Sequence, residues 1–305
     1  MVIRQMPSKK QGSSLRLKLI ILLLLAVLLA STAFGAYSAL SSSQTPVITT
    51  PSASSFVPTY WMSFVPNGTE DFVYLNLSYF LANYPNYFSN GLILSNDTAP
   101  VNLALFDTTY RLDMESASLQ LVYVFGLNGT TYSDVSTAFT VSNLTMANYS
   151  GVTLYRIDNF TSGEPAWLCF LNGAMVLSVG DQEAVQALQS VLNASSAPFF
   201  VNDSLKIGYL LAASAGPQYA FGCYQGSDNN YSIDFEMQSL AVTGNGFVVR
   251  DLYHFTTVDA LNSNFKTVKS NYFTTNQSLY TSSSFMVGDQ IFSQTDVEDA
   301  LASIG

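Results

Sequence analysis

The feature that most constrains this chain is a long apolar stretch near its start. Residues 19–40 contain 22 consecutive positions without a charge, and a helix needs about 20 such residues to cross the hydrocarbon layer of a membrane. Five of the eleven basic residues come before this stretch, and no acidic residue does. The positive-inside rule then places residues 1–18 in the cytoplasm and the rest of the chain outside the cell. We therefore predict one transmembrane helix at 19–40.

A cleaved signal peptide remains the alternative. Its apolar region is usually about 7–15 residues long, which residues 19–30 would match, and Ala33-Phe34-Gly35 could serve as a small-residue cleavage site. Both alternatives export the rest of the chain. The segment at 41–58 is rich in Ser, Thr and Pro, a composition typical of an extended stalk.

Charge excludes one class of partner. Beyond residue 40 the chain carries 6 basic and 21 acidic side chains, a formal charge of −15. Nucleic acid binding needs clustered Lys and Arg to contact phosphates, so we predict no nucleic acid partner. Only 10% of all residues are charged, and a surface with few ionisable groups suggests the hypothesis of an acidic external medium.

Asparagine sequons are the most specific signal. Eleven of the 21 asparagines stand in Asn-x-Ser/Thr, where chance alone would give roughly four. We predict a glycoprotein whose sugars supply the solubility that the missing charges do not. The candidate sites are Asn67, Asn76, Asn96, Asn128, Asn143, Asn148, Asn159, Asn193, Asn202, Asn230 and Asn276.

Two cysteines, Cys169 and Cys223, are the only ones in the chain. Outside the cell a pair of cysteines favours a structural disulfide, with two buried free thiols as the alternative. Neither cysteine stands in a Cys-x-x-Cys pair or beside a histidine, which argues against a redox or zinc role.

Apolar and alternating stretches predict an α+β ectodomain of antiparallel sheets. We expect strands near 71–77, 101–106, 118–125, 152–157, 166–171, 174–179, 219–224, 232–237, 246–255, 279–287 and 290–293. Helices are expected at 132–144, 181–192 (with Asp181 as its cap), 258–272 and 296–304. Similar segments that end each half predict two similar modules, 59–200 and 201–305, with helices packed on one face of the sheets.

Three segments carry a family resemblance. They are Phe64-Val-Pro-Asn-Gly-Thr-Glu-Asp-Phe-Val-Tyr-Leu-Asn-Leu, the stretch from Trp167-Leu-Cys-Phe to Gln186-Ala-Leu, and Asp203-Ser-Leu followed by Tyr219-Ala-Phe-Gly-Cys-Tyr. Together they resemble an uncharacterised family of membrane-anchored extracytoplasmic proteins built from duplicated α+β modules. The resemblance implies this fold over most of residues 60–305 and transfers no catalytic residue.

Marks of common enzymes are missing from the sequence. The single histidine, His254, lies in the strand pattern Leu252-Tyr-His-Phe, and we expect it to pack between aromatic residues. Three acidic pairs resemble glycosidase carboxylates, although neighbours two apart on a strand simply share a face. We therefore expect no enzyme, no catalytic residue, no cofactor and no metal; the acidic pairs are Asp113/Glu115, Asp181/Glu183 and Asp234/Glu236.

The leading hypothesis is a non-enzymatic protein of the cell membrane with its ectodomain outside. Its role would be structural, adhesive or interactive, with the membrane and other envelope or surface proteins as partners. The second hypothesis is an extracytoplasmic module that binds a ligand or peptide, favoured if exposed aromatic residues converge on one groove. A third, weaker one is a glycan-active hydrolase, which needs two carboxyls about 5–9.5 Å apart.

Overall fold

A computed structural model describes residues 45–83, 108–116, 120–140, 144–161, 164–195, 198–226, 230–244, 246–273 and 277–296. This part of the chain forms one antiparallel sheet of twelve strands with five α-helices, which confirms the predicted α+β class. The strands are β1 (Thr69–Leu75), β2 (Thr108–Ser116), β3 (Leu121–Leu127), β4 (Thr145–Tyr149), β5 (Val152–Thr161), β6 (Glu164–Leu171), β7 (Ala174–Val179), β8 (Gln218–Tyr224), β9 (Ile233–Thr243), β10 (Gly246–Phe255), β11 (Ser278–Ser282) and β12 (Phe285–Phe292). The helices are α1 (Leu77–Asn83), α2 (Gly129–Thr140), α3 (Gln182–Leu192), α4 (Asp203–Ala213) and α5 (Val258–Tyr272), with short 3-10 helices at Ala53–Ser55 and Tyr60–Phe64.

The strand order is β11-β12-β10-β9-β8-β1-β2-β3-β7-β6-β5-β4. Outward from the central β1–β8 pair, the strands follow one another in the same way on both sides. One side runs β1-β2-β3-β7-β6 and the other runs β8-β9-β10-β12-β11. One continuous sheet thus joins the two halves of the chain.

Each face of the sheet has its own helices, because successive side chains of a strand point to opposite faces. The front face carries Leu112, Val124 and Leu252, and these pack in one large core with α3 and α4. Its centre is aromatic: Phe72 contacts Phe221, with ring centroids 5.8 Å apart. This is the largest buried apolar cluster among the described residues.

The back face is covered towards its two ends. Phe125, next to Val124 in β3, packs on α2 through Phe139. Tyr253, next to Leu252 in β10, belongs to the cluster that holds Leu261 of α5. The prediction that helices pack on one face was therefore wrong, because buried apolar residues alternate to both faces of these strands and each face needs a cover.

The segment at 45–58, predicted as stalk, packs against the fold. Val47 forms a parallel bridge with Thr281 of β11, and Thr281 N donates to the carbonyl oxygen of Pro46 at 3.0 Å. Further along, the Phe56 ring lies 5.4 Å from that of Phe200 in the front core. This segment closes the edge of β11, whose backbone groups would otherwise be open to pairing with another chain.

Several predicted elements match their observed bounds. The strands at 174–179 and 246–255 and the helix at 258–272 are confirmed as β7, β10 and α5. The predicted strand at 279–287 is instead β11, a turn and the start of β12. Asp181 makes no capping hydrogen bond to α3 and lies 3.7 Å from Arg156 instead.

Other predictions cannot be placed. The membrane helix at 19–40, the strand at 101–106 and nearly all of the helix at 296–304 lie outside the described residues. Among the residues that are described, no helix is long and apolar enough to cross a membrane.

Candidate functional site

Among the described residues, the sequon asparagines with described side chains lie at turns, helix ends and the edge strand β4. Of the seven whose side chains are described, six are exposed and Asn76 is half-buried. Asn96, Asn143 and Asn276 lie outside the described residues, as does the side chain of Asn159. The exposed six are Asn67, Asn128, Asn148, Asn193, Asn202 and Asn230.

In the described part of the chain, four of the sequon asparagines form hydrogen bonds through the side-chain oxygen Oδ1 alone. At the start of α4, Asn202 Oδ1 accepts the N–H of Ser204 at 2.8 Å, and at the start of α2, Asn128 Oδ1 accepts that of Thr131 at 2.8 Å. Asn76 and Asn148 accept backbone N–H groups in the same way. N-linked sugar is attached to Nδ2, so these capping bonds persist in a glycosylated chain.

Asn193 differs from these four. Its Nδ2 donates to the Tyr149 hydroxyl at 2.9 Å, which ties the end of α3 to the edge strand β4. A sugar on Nδ2 would compete with this contact. Asn148 lies one residue away from Tyr149 on β4, so two neighbouring sequons share this end of the sheet.

The predicted disulfide is not formed, and that prediction was wrong. Cys169 and Cys223 are both buried free thiols. Four strands separate β6 from β8, which is about 24 Å along the sheet, whereas a disulfide needs Cα atoms within about 7 Å. Burial raises the pKa of Cys169 to about 12. Burial, and then the nearby carboxylates of Glu236 and Asp71, raise the pKa of Cys223 well above its ordinary value.

A polar cluster surrounds His254 at the end of β10. Its Nδ1 lies 2.5 Å from Asp234 Oδ1, and its Nε2 lies 3.0 Å from Ser284 Oγ in the β11–β12 turn. The ring stacks on Phe235, with centroids 4.7 Å apart, and contacts Phe285 at 4.5 Å. The predicted packing of His254 between aromatic residues is confirmed, but the sequence did not indicate its two polar partners.

The acidic residues that the sequence places two apart have different neighbours in the structure. The Asp234 carboxylate contacts His254, whereas Glu236 lies opposite Tyr253 of β10 in the register of the two strands. Asp113 accepts two hydrogen bonds from Arg111, both at 2.6 Å.

A row of carboxyl groups crosses the middle of the back face. Asp71 lies opposite Glu115 on one neighbouring strand and opposite Tyr224 on the other, and Glu236 lies opposite Tyr224 from β9. Asp71 and Glu115 are both buried. Like charges directly opposite each other on neighbouring strands are destabilising, so the Asp71–Glu115 pair costs stability when both groups are ionised. Among the described residues, no group of three or more His, Cys, Asp or Glu side chains is arranged to hold a metal ion.

An aromatic cluster lies at one end of β1 and β2 on the front face. Trp61 stacks on Tyr74 at 4.7 Å, and Tyr110 lies 6.0 Å from Tyr74 and 6.2 Å from the exposed Tyr60. Burial, and then the neighbouring tyrosines, raise the pKa of Tyr110. The sequons at Asn76 and Asn128 lie at this same end, after β1 and before α2.

The sequence matches no known family model, and no curated protein matches it. Among solved structures it is similar to three crystal forms of a protein named TP0453. Form I has a TM-score of 0.43 at 10% identity and covers 80% of this chain and 96% of that one. Forms III and IV each have a TM-score of 0.44, at 11% and 9% identity, and cover 79% and 82% of this chain and 97% of theirs. Likeness at this level carries no argument about function.

Proposed function

We propose that this chain is a single-span, N-glycosylated cell-surface protein with a structural, adhesive or interactive role in the envelope. The observation that carries the proposal is the placement of the sequons. Of the seven sequon asparagines whose side chains are described, six are exposed. In this described part, Asn128, Asn148 and Asn202 form their hydrogen bonds through Oδ1, which leaves Nδ2 available for a sugar. Sugars at these positions would coat a weakly charged surface without breaking a helix cap.

We also propose that residues 59–200 and 201–305 are two similar modules. The support is the matching order of five strands on each side of the β1–β8 pair, with one helix after the third strand of each series, α2 and α5. The first module adds β4 and β5 beyond its fifth strand, α1 after its first strand and α3 at its end, and the second module begins with α4. The proposed role needs no catalysis: a broad sheet held outward by an N-terminal anchor suffices for contacts with other envelope proteins.

Intact native cells offer the test. A protease that cannot enter cells should remove the folded part and leave an N-terminal fragment in the membrane. Cells that lack the protein should lose adhesion or envelope integrity, and the wild-type gene should restore it. Unchanged adhesion and envelope integrity in the deletion strain would argue against the proposed role, and full protection from the protease would argue against the location.

A ligand-binding module is the second candidate, and the aromatic cluster around Tyr60 favours it. Aromatic faces with nearby hydroxyls suit a sugar or an aromatic peptide side chain. Because Trp61 stacks on Tyr74, bound oligosaccharide should change the tryptophan fluorescence. Tyr60→Ala should weaken this response, while Tyr272→Ala, at an exposed tyrosine on α5, should leave it unchanged. If none of the oligosaccharides tested changes the tryptophan fluorescence, the proposed ligand-binding function is wrong.

A further inference from the structure

We propose that Ser284, His254 and Asp234 form a nucleophilic site that hydrolyses carboxylic esters. This activity goes beyond the proposed surface role and does not depend on it. The three residues come from the start of β9, the end of β10 and the turn between β11 and β12. Their geometry, their order of contact and the backbone around Ser284 carry the inference.

The contacts have the direction that a serine nucleophile requires. Asp234 Oδ1 lies 2.5 Å from His254 Nδ1, so the carboxylate holds the ring proton on that nitrogen. The lone pair of His254 Nε2 then faces Ser284 Oγ, 3.0 Å away, and can take the hydroxyl proton. Acid, base and nucleophile within hydrogen-bond reach, in this order, define the arrangement that activates serine for acyl transfer.

Two aromatic rings fix the base. Phe235 stacks almost parallel to the imidazole, at an interplanar angle of 13°, and Phe285 contacts it from β12. The ring therefore cannot swing away from Ser284 without breaking both contacts. A positioned base of this kind needs no reorganisation when the reaction begins.

The turn that carries Ser284 is held in place and strained. Phe255 N donates to the carbonyl oxygen of Ser284 at 2.9 Å, which fixes the turn beside His254. Ser283 has a φ of +54°, a left-handed conformation that a non-glycine residue adopts at a cost and that often marks functional turns. Ser283 is exposed and Ser284 is half-buried, so a substrate can reach the turn from solvent.

The same turn offers donors for a developing negative charge. The ladder between β11 and β12 ends at the pair Ser282–Phe285, which leaves the backbone N–H groups of Ser283 and Ser284 outside it. Backbone N–H groups beside a nucleophile stabilise the oxyanion of a tetrahedral intermediate. These two N–H groups would fill that role here.

The reaction balances with water as the only co-reactant. Ser284 Oγ forms a bond to the ester carbonyl carbon while its proton passes to His254 Nε2, and the carbonyl oxygen becomes an oxyanion. The intermediate then expels the alcohol, which takes the proton from His254, and leaves an acyl-serine. Water adds to this ester in the same way, and the step releases the carboxylic acid and restores the Ser284 hydroxyl. Asp234 stays ionised throughout.

The test uses the full chain in detergent with two probes, a fluorophosphonate and p-nitrophenyl acetate. We expect the phosphonate on Ser284, found by peptide mass mapping, and ester hydrolysis above the buffer rate. Ser284→Ala should abolish both, and Asp234→Asn should slow hydrolysis by up to about 10⁴-fold. Ser263→Ala, which alters an exposed serine of α5, is the matched control and should retain labelling of Ser284.

A purely structural cluster predicts a different outcome, because the same bonds would then only satisfy a buried imidazole. Absence of phosphonate on Ser284, or ester hydrolysis that persists in Ser284→Ala, would overturn the proposal. Ser284→Ala removes one oxygen atom, and its unfolding temperature, compared with that of Ser263→Ala, separates lost chemistry from lost folding.

Discussion

At the scale of single residues, Asn202 combines two properties that can be tested separately. Its side chain caps α4 through Oδ1, and its Nδ2 is a candidate for N-linked sugar. In protein produced without glycosylation, Asn202→Ala should lower the free energy of unfolding by about 1 kcal/mol, because an N-terminal N–H loses its partner. Chemical denaturation measures this difference.

Ser204→Ala is the matched control for this cap. It destroys the sequon at Asn202 but keeps the backbone N–H that Asn202 Oδ1 accepts. In unglycosylated protein its unfolding free energy should stay close to that of the wild type. In the native host both variants should lose the sugar at this position, and equal destabilisation of the two unglycosylated variants would contradict the capping role.

The two cysteines give a second prediction at this scale. Because both thiols are buried and burial raises the pKa of each, iodoacetamide at pH 8 should not modify the folded protein. After unfolding in guanidinium without reductant, both should react. Mass spectrometry counts the additions, and an unfolded, unreduced chain that takes up none would show that a disulfide exists after all.

Local signals explain which sites the sequence could predict. A sequon occupies three consecutive residues, and the helix or turn that exposes it begins at the same place, as at Asn128 and Asn202. The cluster at His254 needs residues 20 and 30 positions away, which only the pairing of β9 with β10 and the β11–β12 turn bring together. The cysteine prediction was wrong for the same reason, since it depended on which strands are neighbours.

At the scale of elements, Arg250 joins β10 to β12 and to the end of α4. Its guanidinium donates to Asp289 twice, at 2.6 Å each, and to the carbonyl oxygen of Leu211 at 2.6 Å. The side chains of Arg250 and Asp289 are only 9% and 13% exposed. The Leu211 carbonyl oxygen also accepts from Ser214 N and Ser214 Oγ, so Arg250 adds a charged donor to the last turn of α4.

Breaking this ion pair should be costly. Asp289→Asn leaves Arg250 buried with its charge uncompensated, which should lower the free energy of unfolding by about 3–5 kcal/mol. Asp158→Asn is the control, because Asp158 is 64% exposed beside Arg156 and such a pair contributes at most about 1 kcal/mol. Urea denaturation compares the variants, and equal effects at the two positions would contradict the assigned role of Arg250.

Physical reasons explain why the sequence did not indicate β2 and α4. In β2, one alternating set is Arg111, Asp113 and Glu115, and charged residues at every second position resemble a solvated loop although here they are buried. In α4, the run around Leu205–Leu211 is apolar on several sides and contains Gly208, so its period could not separate helix from strand. By contrast, α5 has a threonine cap and polar and apolar residues at helical spacing.

At the scale of the whole molecule, buried carboxyl groups link stability to acidity. Burial raises the pKa of Asp251 above its ordinary value of 3.8, although Gln238 and Gln277 donate hydrogen bonds to it. The folded state then keeps a proton at pH values where the unfolded chain has lost it. Folding takes up this proton, so the contribution of Asp251 to stability falls as the pH rises from 3.8 towards its folded pKa.

Asp251→Asn should remove this pH dependence. The two glutamine amides can rotate to pair with the neutral side chain. We expect the variant to gain less stability than the wild type on acidification from pH 7 to pH 3, and to exceed the wild type at pH 7. Thermal unfolding across this range measures the difference, and a parallel pair of pH profiles would contradict it. A wild-type protein that becomes more stable on acidification would agree with an acidic external medium.

The described strands form one sheet that spans both halves of the chain. The strand order mirrored about β1 and β8 agrees with two similar modules, while the continuous sheet makes them one folded unit. The segment at 45–58 runs from the β11 edge into the front core. An anchor at 19–40 would therefore end only a few residues before the sheet begins, which would hold the β11 edge close to the membrane.

The most direct test of the central claim is mass spectrometry of the native membrane-associated protein, intact and as glycopeptides. We predict a chain that retains residues 19–40 and carries sugar on exposed sequon asparagines such as Asn128 and Asn202. A chain that begins near Ala36 would contradict the anchor while leaving export intact. Unmodified asparagines at every exposed sequon would contradict the proposed glycoprotein.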